Sequence, residues 1–105
     1  MNSSKEICPI RTCSKIISRA WALEIIYHLS NGPLFYGELK NVLNNISAKV
    51  LATRLKEFEA ELIIKRTVLP CKPPKVKYSL GPVGKDLVPI FQSMTKIGKK
   101  LSKRK

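Results

Sequence analysis

The stretch ISAKVLATRLKEFEAELI, residues 46–63, decides the fold. Leu51, Leu55, Phe58 and Leu62 stand at i, i+4, i+7 and i+11, the apolar stripe of a single helix. Its other side leads with Lys49, Thr53 and Lys56, and the acidic Glu57 and Glu61 come only later. Positive charge at the start of a helix opposes the helix dipole, at a cost of a few tenths of a kcal/mol or so. A negative partner outside the chain is the simplest reason to keep it there. With Leu51 at 0° and roughly 100° per residue, Lys49, Thr53 and Lys56 fall at about 160°, about 200° and about 140°. Those three share the solvent face, while Arg54, at about 300°, lies at its edge. Ser47 is placed to cap the helix through its hydroxyl.

Upstream, Pro9 suits the first turn of a helix running to about residue 17. A second helix is expected from about residue 20 to 30, burying Trp21, Leu23 or Ile25, Ile26 and Leu29, and stopped by Asn31-Gly32-Pro33. A third, residues 37–43, should bury Leu39, Val42 and Leu43, and Asn44-Asn45 supplies a tight turn into residues 46–63. Downstream the period changes. IKRTVL at 64–69 and VKYSL at 76–80 look like strands joined by the stiff loop Pro70-Cys71-Lys72-Pro73-Pro74. From Pro82 a helical period returns, with Val83, Leu87, Ile90, Phe91, Met94, Ile97 and Leu101 on one face. Pro89 should bend or interrupt that helix.

The order predicts an α+β, mainly α, fold: a winged helix-turn-helix with a β-hairpin wing, basic through Lys72, Lys75 and Lys77, and terminal dimerisation helices. One domain is expected over residues 1–105, with residues 1–19 and 82–101 forming the dimer contact and 102–105 a basic tail. The apolar face of residues 83–101 exceeds what one small core needs, so a second copy should cover it.

Charge points to the partner. Twenty Lys and Arg against seven Asp and Glu leave a net +13. Residues 1–39 are close to balance, whereas residues 40–77 hold nine basic and three acidic side chains and residues 96–105 six basic and none acidic. A polyanion is the natural partner, nucleic acid before an anionic membrane. No apolar run approaches membrane-spanning length and MNSSKE is not a secretory signal, so a cytoplasmic location is expected. Three cysteines argue against a disulfide framework.

Several segments together resemble the HxlR-type winged helix-turn-helix transcription regulators over about residues 7–98. They are CPI at 8–10, Trp21, Gly32-Pro33 with Tyr36-Gly37-Glu38-Leu39, ISAKVLATRL at 46–55, KRTVLP at 65–70, and PPKVKYSL at 73–80 followed by Gly84. The resemblance implies a small dimeric DNA-binding repressor or activator. Three sites depart from the family's usual pattern. Arg19-Ala20 replaces Gly-Lys before the tryptophan, Leu62 replaces a glycine that often ends the recognition helix, and Gly81 stands where a threonine commonly caps the last helix.

The function expected is therefore a homodimeric, sequence-specific regulator on a pseudo-palindromic double-stranded operator, with helix 47–62 in the major groove and the wing at 64–80 on the flanking backbone or minor groove. Lys49, Thr53 and Lys56 are the candidate groove-facing residues, Ser47 and Arg54 the candidate phosphate contacts, and Lys72 and Lys75 the wing contacts. A basic architectural chromatin protein without sequence choice is the alternative. Cys8 occupies the position at which some HxlR-type relatives carry a redox- or electrophile-sensing cysteine, so an unknown small-molecule or electrophile effector is one reading. An inert cysteine packed beside the dimer contact is the other. No pair among Cys8, Cys13, Cys71 and His28 has zinc-finger spacing, and no nucleophile–base, paired-carboxylate or phosphate-cradling pattern occurs. No cofactor, metal or enzymatic activity is expected.

Overall fold

The computed structural model describes residues 8–103. Five helices and three strands follow in the order α1 (Pro9–Ile17), α2 (Ala22–Ser30), β1 (Leu34–Phe35), α3 (Tyr36–Leu43), α4 (Ala48–Ala60), β2 (Ile64–Leu69), β3 (Lys75–Leu80) and α5 (Pro82–Lys103). The strands form an antiparallel sheet in the order β1-β3-β2. Among the described residues no helix is long and apolar enough to cross a membrane.

The core gathers buried side chains from α2, α3, α4, α5 and the two longer strands. Ala22, Ile25, Ile26 and Leu29 of α2 meet Leu39 and Leu43 of α3, Leu51, Leu55 and Phe58 of α4, and Leu87 and Phe91 of α5. Each large side chain taken out of water there contributes about 1.5–3 kcal/mol. Trp21 and Leu23 are half-buried against this cluster, and Val42, expected inside, is 45 % exposed. Trp21 itself does not belong to α2: with φ 72° it stands in the left-handed region just ahead of it, and the helix starts at Ala22 rather than near residue 20.

Helix α4 starts as its sequence dictates, with Ser47 Oγ accepting the Val50 N–H at 3.1 Å. It ends earlier than its stripe predicts. Leu62 has φ 62°, the Leu62 N–H reaches Glu59 O at 3.1 Å, and the Ile63 N–H reaches Phe58 O at 2.9 Å. These two bonds make a Schellman cap, a turn that ordinarily takes glycine at its left-handed position. The reversal carries Ile63 into the core and leaves Leu62 58 % exposed, off the buried stripe on which its spacing placed it.

The same turn receives α5. Val83 N–H donates to Leu62 O at 3.0 Å and Gly81 N–H to Ile63 O at 2.8 Å. A Cβ on Gly81 would sit 2.5 Å from Leu62 O. Gly81 is thus a close-approach glycine, and the carbonyl of Leu62 serves an orphan amide of α5 that a capping threonine would otherwise satisfy. Helix α5 runs unbroken through Pro89, so of the expected bend or interruption the interruption does not occur. Pro89 and Lys85 are both exposed, so water can satisfy the Lys85 carbonyl that loses its helical partner. No residue of α5 is buried beyond Phe91. The Cα radius of gyration, 15.8 Å, exceeds the roughly 13 Å of a compact chain of this length, consistent with helices that stand away from the core.

Candidate nucleic-acid interface

Two helices joined by a short turn set the geometry. Helix α3 is held at its start by Glu38, whose Oε1 accepts the Phe35 N–H at 2.8 Å. Residues 44–47 turn the chain, with Asn44 at φ 57°, and Lys40 Nζ donates to Ile46 O at 3.4 Å across the turn. Helix α4 then packs Leu51, Leu55 and Phe58 inward and leaves Lys49, Thr53 and Lys56 exposed together. The Thr53 hydroxyl donates to Lys49 O at 3.0 Å, which leaves its oxygen lone pairs for an outside donor. Ser47 spends an acceptor on its cap and keeps its hydroxyl proton available.

The hairpin stands beside this face. Lys72 is exposed in the loop, and Lys75 Nζ lies 5.6 Å from the centre of the Phe35 ring, a cation–π contact that steadies the wing against the start of α3. Between α4 and the root of the hairpin runs a groove bordered by Tyr36, Lys49, Lys56, Glu59 and Arg66, with Tyr78 at its base. Sequence reasoning passed over Arg66. Its signal was faint: Arg66 stands two residues from buried Ile64, on the same face of β2, and pairs with Tyr78 on β3.

Arg54, the other candidate phosphate contact, is engaged within the chain. Its Nε donates to the Ala20 carbonyl at 2.9 Å and its Nη1 to Glu57 Oε1 at 3.1 Å. Arg54 lies at the edge of the exposed face of α4, and that edge faces the α1–α2 junction. All three ion pairs among the described residues use Arg19 or Arg54, so the lysines of α4, Arg66 and the wing lysines hold unpaired charge.

Cys8 is exposed at the head of α1, Cys13 is half-buried on it, and Cys71 is exposed at the wing loop. Among the described residues no three His, Cys, Asp or Glu side chains gather to hold a metal. Residues 1–7 of the expected dimerisation segment and residues 104–105 of the basic tail lie outside the described residues.

Comparison with known proteins agrees with this geometry. Residues 16–105 match the model of the HxlR-like helix-turn-helix family. The uncharacterized HTH-type transcriptional regulator YvaP of Bacillus subtilis is 40 % identical over 97 residues, spanning 91 % of this chain and 89 % of its own. The reduced form of the transcriptional regulator YodB from B. subtilis superposes with a TM-score of 0.77 at 37 % identity, covering 87 % of this chain and 90 % of that one. The redox regulator HypR in its oxidized form superposes at 0.82 with 32 % identity, covering 89 % and 96 %. The chain belongs to the HxlR-like helix-turn-helix family.

Proposed function

We propose that the protein is a cytoplasmic transcription regulator, not an enzyme, and that it binds a pseudo-palindromic operator as a homodimer. Helix α4 enters the major groove, where each base pair displays a distinct set of donors and acceptors. Lys49, Thr53 and Lys56 face the bases, the Ser47 hydroxyl meets the backbone, and Lys72 and Lys75 hold the flanking duplex from the wing. The observation that carries this reading is the shared exposure of Lys49, Thr53 and Lys56 on one face of a capped helix beside a basic hairpin. Arg54, bonded to Ala20 and Glu57, braces the helix.

A second copy accounts for the outer half of α5. Ile90, Met94, Ile97 and Leu101 are 40–61 % exposed along one side, and Ile10 on α1 is 77 % exposed. A two-fold dimer closing over these residues would set its recognition helices about 34–36 Å apart, one turn of duplex.

Enrichment of binding sites from a pool of random duplexes tests the function. Selection of a two-fold-related sequence, lost when Lys49 and Lys56 are both changed to glutamate in a chain that still folds, is the expected outcome. Recovery of no preferred sequence, with equal affinity for every duplex, would favour the architectural reading. An effector is proposed to act at α1 through exposed Cys8. Operator affinity unaltered by alkylation of Cys8 removes that part.

A further inference from the structure

The groove between α4 and the hairpin is built for something that neither the recognition helix nor the wing tip holds. A helix seated in a major groove and a hairpin reaching the neighbouring minor groove must straddle the sugar-phosphate backbone that separates the two grooves. The strand wall of the cleft between helix and hairpin therefore faces phosphate, while its α4 wall turns on toward base edges. Three cations converge there, Lys49 and Lys56 from α4 and Arg66 from β2. Glu59 borders the same cleft, yet no ion pair joins it to Arg66. Arg66 is exposed, and its position is fixed by strand pairing, since it lies opposite buried Tyr78 in the β2–β3 register.

We infer that Arg66 is a phosphate-holding residue of the interface, clamping the backbone strand that passes between α4 and the wing. The inference rests on the duplex-binding reading above. It moves the backbone clamp from Arg54, which the fold uses internally, to a strand residue on the opposite side of α4. Guanidinium suits the task because its planar fork matches two phosphate oxygens at once. Anchored within the paired strand β2 instead of on the loop tip, it would fix how deeply the helix sits in its groove.

The test compares Arg66→Ala, Arg66→Lys and Arg54→Ala with the full-length parent on two duplexes, one enriched by the parent and one of random sequence, over a range of salt. A phosphate contact predicts that Arg66→Ala weakens both duplexes alike, by about tenfold or more per dimer, since a charged hydrogen bond is lost from each copy. The slope of log affinity against log salt should fall by about 0.9 per protomer, with Arg66→Lys keeping most of the slope and only part of the affinity. Unfolding midpoints of the variants report whether the fold is intact. Unaltered affinity and slope in a folded Arg66→Ala overturn the inference, as does a loss confined to one base pair of the enriched duplex. Because the salt slope is also read on random duplex, the parent's failure to enrich any sequence would sink the regulator reading and still leave the clamp decided.

Discussion

Arg19 and Glu61, 42 residues apart in sequence, meet through two parallel bonds, Nη1 to Oε1 at 2.6 Å and Nη2 to Oε2 at 2.7 Å. The guanidinium also lies 5.9 Å from the centre of the Phe58 ring and 3.9 Å from Glu57. Its already high pKa is raised further, chiefly by the hydrogen bond to Glu61, so it stays charged throughout the pH range in which a protein folds. Together with Arg54 on the Ala20 carbonyl, this fork ties the α1–α2 junction to α4 and the turn that ends it.

Both members of the fork are about a third exposed, so water screens part of its strength. Arg19→Ala should cost about 1 kcal/mol in urea unfolding, and Arg19→Lys should recover less than half, because an ammonium cannot reproduce the paired geometry. A double-mutant cycle with Glu61→Gln should return a coupling of about 0.5–1 kcal/mol. Zero coupling would show that the pair is an incidental surface contact.

Leu62 holds a left-handed conformation that costs an L-residue about 1–2 kcal/mol, and its side chain is mostly in water. Leu62→Gly releases that strain and gives back part of the gain as extra freedom in the unfolded chain. A net stabilisation of about 0.5–1 kcal/mol is expected, a rise in Tm of a few degrees for a domain of this size. A fall in Tm would show that the exposed leucine contributes more packing than its surface suggests.

Gly84 behaves in the opposite sense. A methyl group there would run into the Ile63 carbonyl and the Leu80 side chain, and backbone cannot step aside cheaply. Gly84→Ala should destabilise by about 1–3 kcal/mol, as overpacking does elsewhere. Gly98, with open space around its Cβ direction, is the control: Gly98→Ala should stabilise α5 by up to about 1 kcal/mol.

Ile97 is 55 % exposed on α5, beyond the last residue that the chain's own core covers. Ile97→Glu should leave the helical circular dichroism intact and shift sedimentation equilibrium from dimer to monomer at micromolar concentration. A parent protein that sediments as a monomer under those conditions would contradict the dimer.

Much of this was written in local patterns. The alternation of Leu51, Leu55 and Phe58, the Ser47 cap and the basic face of α4 depend on residues within a few turns of one another, and each lies where its spacing put it. What escaped were features fixed by distant partners. Strand β1 is two residues long and has no period of its own; its existence depends on pairing Leu34 with Tyr78 and Phe35 with Lys77. The engagement of Arg54 depends on where the α1–α2 junction lands, 34 residues upstream. Leu62 extends the apolar stripe on paper, and a helix cap, which no wheel encodes, turns it outward. Arg66 joins the α4 groove only because β2 pairs with β3 in one register.

Pairing of β1 with the middle strand has a mechanical consequence. Leu34 and Phe35 run directly into α3, so the hairpin and the helix pair share a single rigid root. The molecule resembles a caliper with a set gap more than a hand with independent fingers. Duplexes whose groove widths already match that gap would be gripped with little distortion, whereas others must be bent to fit. Base sequence could then be sensed at steps no side chain touches, through the stiffness of the DNA itself.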